Sequence, residues 1–297
     1  MKKLLPIVIV LSLLLGCEDV IEIDVPVDAP RLTIDALFRI DASNPLQTVQ
    51  LRAGITSGFF DELQTANLEE IAIINLDYEP SDANDSRILE MNEVASGVYE
   101  ATKNTSFFTS GELRLYVQHQ GEQYIAGTAY VPTSEIEELV QGDNTLFGGE
   151  ETEIIVSFND APNRTDFYLF DLDFNEYLAT EDTFYPGQRF EFSYFYDDKV
   201  ISGMDLDISI LGVNVQFYNY MNQIIAQADG GSAGPFQTPS ATVRGNVINV
   251  TSSGIDSIED AAAIENIESL DGVDTTDNFA LGYFAIAQTF TKSITVE

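Results

Sequence analysis

The side chains that most often carry chemistry are scarce in this 297-residue chain, which has one cysteine and one histidine. A zinc site of Cys and His ligands, an internal disulfide and a Cys-His dyad each need more of them than the chain supplies. Carboxylates are the opposite case: 49 Asp+Glu stand against 13 Lys+Arg, a formal net charge of -36. That balance excludes nucleic acid as a partner, because phosphate backbones are bound through Lys and Arg that displace counterions. It also disfavours an anionic lipid surface. Paired carboxylates can hydrolyse a glycosidic bond, but such pairs are recognised by separation and unequal pKa values, not by abundance. Two acidic stretches have the oxygen spacing of calcium loops. Asp171-Leu172-Asp173-Phe174-Asn175 opens like one and then fails, with Glu176 where the sharp turn needs glycine, so a strand with acids on its solvent face is expected there. Asp271, Asp274 and Asp277 stand in a loop-like stretch as weak calcium candidates; no other metal and no cofactor is expected. His119, in the turn-like stretch 118–122, is expected to be an exposed turn residue. The aromatic run holding Phe190, Phe192, Tyr194 and Tyr196 places alternate rings on one strand face, which either packs into a core or forms a ligand or partner surface.

The lone Cys17 sits at the end of a distinctive leader. Lys2 and Lys3 precede a mostly apolar run over 4–15, too short for a bilayer span of about 20 residues and organised like a secretory signal peptide. Its end, Leu14-Leu15-Gly16-Cys17, resembles the lipobox of bacterial lipoproteins. The resemblance implies cleavage between Gly16 and Cys17, diacylglycerol on the Cys17 thiol and acylation of the new amino terminus. Acyl chains contribute about 0.8 kcal/mol per buried methylene, so two or three hold a protein stably on a membrane. Glu18 and Asp19 then resemble the acidic export signal of Bacteroidetes lipoproteins, which implies passage through the outer membrane to the cell exterior. Residues 17–30, with Pro26 and Pro30, read as a lipidated, acidic, extended spacer.

The elements that must position any site are mostly strands. Over 31–132, segments such as Leu32-Thr33-Ile34-Asp35-Ala36-Leu37 and Leu113-Arg114-Leu115-Tyr116-Val117 alternate with period two between turn-forming residues, which predicts an antiparallel β-sandwich. Gly121 is expected to supply a positive φ at a hairpin tip. The order of Ser96-Gly97-Val98-Tyr99, Gly111-Glu112-Leu113 and this hairpin is similar to immunoglobulin-like domains of the transthyretin or carboxypeptidase-regulatory type. Residues 133–151 lack a strand pattern and are expected to be a linker. Beyond them, 152–297 reads as a β-rich domain with one amphipathic helix over 215–228.

Tyr218-Asn219-Tyr220, Pro235-Phe236, Arg244-Gly245-Asn246-Val247 and Ala280-Leu281-Gly282-Tyr283-Phe284 together resemble, in that order, Bacteroidetes outer-membrane lipoproteins of a domain family of unknown function. Members commonly stand beside TonB-dependent receptors. The resemblance implies a non-enzymatic binding or accessory component of nutrient uptake, with the outer membrane and a TonB-dependent receptor as partners. Two other classes stay open from the residues: a lipid-anchored carboxylate hydrolase, and a structural or adhesive surface protein.

Overall fold

A computed structural model describes residues 29–297 except 58–63, 84, 147, 198–199, 229–241, 265, 268–269 and 271–278. The chain is mainly β, with a large sheet and a second small one. Its first half runs through β1 (Leu32–Ile40), β2 (Leu46–Ile55), β3 (Gln64–Thr65), β4 (Glu70–Asn75), β5 (Ile88–Glu90), β6 (Asn92–Ala95), β7 (Val98–Asn104), the single-turn α1 (Thr105–Phe108), β8 (Glu112–His119) and β9 (Glu122–Val131). Then follow β10 (Ile136–Gln141), β11 (Thr152–Asn159), β12 (Phe167–Asp171), β13 (Tyr177–Glu181), β14 (Arg189–Tyr196), β15 (Asp205–Val213), α2 (Val215–Ala228), β16 (Ile248–Asn249), α3 (Ile258–Ala263) and β17 (Leu281–Thr295).

Alternation decides which face of β1 is core. Leu32, Ile34, Ala36, Phe38 and Ile40 are buried, while Asp35 and Arg39 between them are exposed. The buried set joins Leu51 of β2, Ile71 and Ile73 of β4, Leu113 and Leu115 of β8 and Phe107 and Phe108 of α1 in one core. Phe38 meets Phe284 and Phe108 edge-on, with centroids 5.5 and 6.4 Å apart. The strands run in the order β5-β4-β8-β9-β17-β1-β2-β7-β6, so the last strand of the chain lies between the first and the ninth.

That insertion revises the expected domain limits. β17 is long enough to serve two lobes. Over 281–288 it pairs in parallel with β1, and over 289–295 it pairs antiparallel with β15. The N-terminal sandwich is therefore completed by residues 281–288 from the far end of the chain, and 31–132 is not a closed unit. Two residues allow the close approach. Gly282 has φ +91°, and a Cβ there would lie 1.9 Å from the Ile34 carbonyl oxygen; a Cβ at Gly245 would lie 1.5 Å from the Gly282 carbonyl oxygen. Asn246 then acts as a substitute strand: its Nδ2 donates to the Phe284 carbonyl (2.8 Å) and its Oδ1 accepts from the Phe284 N–H (2.8 Å). The residues that carried the family resemblance thus lock the C-terminal strand into the sandwich.

The expected linker is also corrected, because 136–141 forms β10, an edge of the small sheet β10-β11-β14. This sheet and the strands β12, β13 and β15 enclose the second core, around Phe158, Tyr168, Phe170, Ile208 and Ile210. α2 has the bounds the periodicity predicts, and packs Phe217 with Leu211, Val213 and Tyr283 on the outer side of that layer. Two further expectations fail locally. The strand that reaches Asp171 ends there, and Asp173, Phe174 and Asn175 all take positive φ in the turn to β13, because a hairpin reverses the chain at that point. His119 ends β8 at 8% exposure, its Nδ1 2.8 Å from the Asn67 carbonyl oxygen; Gln120 and Gly121, both at positive φ, form the turn instead.

Candidate functional site

Of the residues singled out from sequence, Gly16, Cys17, Glu18, Asp19, Asp271, Asp274 and Asp277 lie outside the described residues. The aromatic strand is described in full. Phe190, Phe192 and Tyr194 are half-buried against the second core; Phe190 stacks on Tyr185 at 4.0 Å, and Phe192 meets Phe170 at 4.9 Å. Tyr196 is 1% exposed and donates to the Leu172 carbonyl at 2.6 Å, so the strand face closes over the core and Tyr196 offers no surface.

Two other places gather charged groups. In the C-terminal lobe Asp160, Asp166 and Asp182 are each at least 95% buried, with carboxylate oxygens all within 4.8 Å of one another. Oxygens so spaced suit a hard cation, but protein donors already engage them. The Tyr168 hydroxyl donates to Asp160 and to Asp166 (3.1 Å), the Gly187 N–H to Asp160 (2.6 Å), Arg164 Nε to Asp166 (2.5 Å), and the Asp166 N–H to Asp182 (3.0 Å). Burial, with the Asp160 hydrogen bond behind it, pushes the Tyr168 hydroxyl well up from its ordinary pKa, so it remains a donor. The knot ties the ends of β11, β12 and β13 together.

The second place is a groove where α2 and β13 overhang the outer face of β1 and β2. Its floor carries Asp35, Leu37 and Arg39 from β1 and Thr48, Gln50 and Arg52 from β2, with Tyr177 as a wall and a cavity of about 340 Å³. A second cavity of about 170 Å³ adjoins it, sharing Asp35 and Leu37 and lined by Phe217, Tyr220, Met221, Ile224 and Tyr283. The rings pack on one another: Tyr220 lies 5.0 Å and Phe217 4.8 Å from Tyr283. Burial raises the Tyr177 and Tyr220 hydroxyls, and Tyr283 is pushed up to about 12 by burial and by Tyr220. These rings are neutral donors at physiological pH.

The groove charges are incompletely paired. Asp171 holds Arg39 at 2.5 Å, and Gln50 links Arg52 Nε (3.1 Å) to Glu100 (2.9 Å). Asp35 and Arg52 stand directly opposite each other across the β1–β2 pair, yet form no ion pair. Among the described residues none hydrogen-bonds the Asp35 carboxylate, and Arg52 is the one arginine with neither a carboxylate nor an aromatic ring against it. Sequence reading missed this groove, since its charges occupy outward positions of alternating strands. The available signal was two arginines, 39 and 52, on adjacent strand faces of a chain poor in cations.

Fold and site thus define a two-lobed, mainly β protein with an open groove at the seam between its lobes. The family model described as Domain of unknown function (DUF4249) matches residues 18–256, and the chain belongs to that family. No curated protein matches it.

Proposed function

We propose that this protein is a lipid-anchored component of the outer-membrane surface that binds a small ligand in the β1–β2–α2 groove, without transforming it, as an accessory to a TonB-dependent receptor. The observation that carries the reading is Cys17: the one cysteine of the chain stands at the one position where a lipobox requires it. Acidic residues 18 and 19 and the spacer to Pro30 suit an anchored protein held clear of the membrane. Acyl chains on Cys17 would supply the attachment. The groove supports binding over chemistry, since the lone histidine lies in the β8–β9 hairpin outside the groove lining and the buried acids are engaged by protein donors.

Metabolic labelling with an alkyne fatty acid tests the anchor: wild type is expected to be labelled and Cys17→Ser to lose the label, and equal labelling overturns the reading. Protease treatment of intact cells is expected to cleave the protein. Affinity purification is expected to recover an outer-membrane receptor, and its consistent absence counts against the accessory role.

A further inference from the structure

The two cavities of the groove differ in chemistry and meet at Asp35. The smaller, walled by Phe217, Tyr220, Met221 and Ile224, accepts an apolar group; the larger presents the Arg52 guanidinium beside Thr48 and Gln50, which are hydrogen-bonded to Thr102 and Glu100. Residues directly opposite in an antiparallel pair have Cα atoms about 4.5–5.5 Å apart, so Asp35 and Arg52 present opposite charges at close range on one open floor. Closing them on each other would gain little at an exposed position, where water screens the pair, which leaves both available to a ligand.

We propose that the groove binds a zwitterionic apolar amino acid or short peptide, with its ammonium on Asp35, its carboxylate on Arg52 and its apolar side chain in the cavity beneath Tyr220 and Met221. A simple anion is opposed by Asp35 and Glu100, and a simple cation by Arg52 and Arg39. A neutral saccharide carries no charge to meet either Asp35 or Arg52. Tyr220 takes part as a neutral wall, its hydroxyl kept protonated by burial and by the nearby Asp35. The assignment rests on the groove being the binding site of the function proposed above.

Calorimetric titration of the full chain in detergent tests it, with leucine, leucyl-glycyl-glycine, N-acetyl-leucinamide and maltose as probes. Leucine or the tripeptide is expected to bind at least tenfold more tightly than the uncharged N-acetyl-leucinamide; whichever of the two is tighter identifies the free or peptide form. Asp35→Asn and Arg52→Gln are each expected to weaken that binding at least tenfold, and Met221→Trp to weaken it by filling the apolar cavity. Equal affinity for charged and uncharged leucine, binding of maltose alone, or no heat from any probe overturns the proposal. If titration fails while fatty-acid labelling and receptor capture succeed, the ligand assignment falls and the anchored accessory role stands.

Discussion

The acid knot of the C-terminal lobe and the floor of the groove both assemble charged side chains, and they do so with opposite bookkeeping. In the knot, three buried aspartates are met by a tyrosine hydroxyl, a guanidinium and two backbone N–H groups. In the groove, one exposed aspartate and one arginine face each other and remain apart. Burial forces the first arrangement, because an unpaired carboxylate inside a protein is too costly to persist. Water permits the second, and a ligand can replace that water. In a chain with 49 acids, carboxylate density therefore says little, whereas the state of pairing separates a structural cluster from a binding surface.

The largest effect that would break this contrast comes from the knot. Asp160→Ala removes the acceptor of the Gly187 N–H and one of the two acceptors of the Tyr168 hydroxyl. Leaving a buried donor unmade costs about 1–3 kcal/mol, so a loss of about 2 kcal/mol is expected. At roughly 2–4 °C per kcal/mol for a chain of this size, thermal unfolding should shift downward by roughly 4–8 °C, with leucine titration unchanged. Millimolar calcium that raised the melting temperature of wild type and not of Asp160→Ala would make the knot a cation site, and the contrast would fail.

Asp85 sharpens the same contrast in the N-terminal lobe. It accepts from Lys103 Nζ, from the Ser81 N–H (2.9 Å) and from the Tyr78 hydroxyl (2.7 Å), and these bonds, Lys103 first, hold its carboxyl well below the ordinary 3.8. A depressed folded pKa contributes stability that is complete above the unfolded value and is lost as pH falls through the folded one. Acid unfolding of wild type should therefore steepen below about pH 4, and Asp85→Asn should remove part of that slope. An identical pH dependence in the variant would show that the network around Asp85 contributes nothing.

Legibility followed the range of the forces involved. Strands such as β1 and the helix α2 announce themselves because local alternation or helical period coincides with burial. β10 was missed since only Ile136 of its residues is buried, and outward Glu137 and Glu138 mask the period of an edge strand. The place of β17 could not be read at all. Parallel pairing of Thr33 with Leu281 is a contact between distant segments, and nothing in either local pattern names its partner. Arg114 misleads in the same way: within an alternating strand it looks solvent-facing, yet it is fully buried beneath α3, donating to the Ala261 carbonyl at 3.3 Å and to Ile264. The groove combines both failures, as it forms only where α2 comes to overhang β1.

The smallest expected effect is the most direct test of the groove's unpaired state. Asp35 is exposed and its carboxylate makes no hydrogen bond, so Asp35→Asn removes a charge and no side-chain contact. Surface substitutions of that kind usually change stability by about 0.5 kcal/mol or less, and chemical denaturation of the variant should overlay wild type within that margin. If Asp35→Asn instead destabilised the chain by 1 kcal/mol or more, Asp35 would have to be pairing with Arg52 in solution, and the two regions would obey one rule of satisfied charge. An unchanged midpoint together with weakened leucine binding would fix the difference: a charge that contributes nothing to the fold is held ready for something outside it.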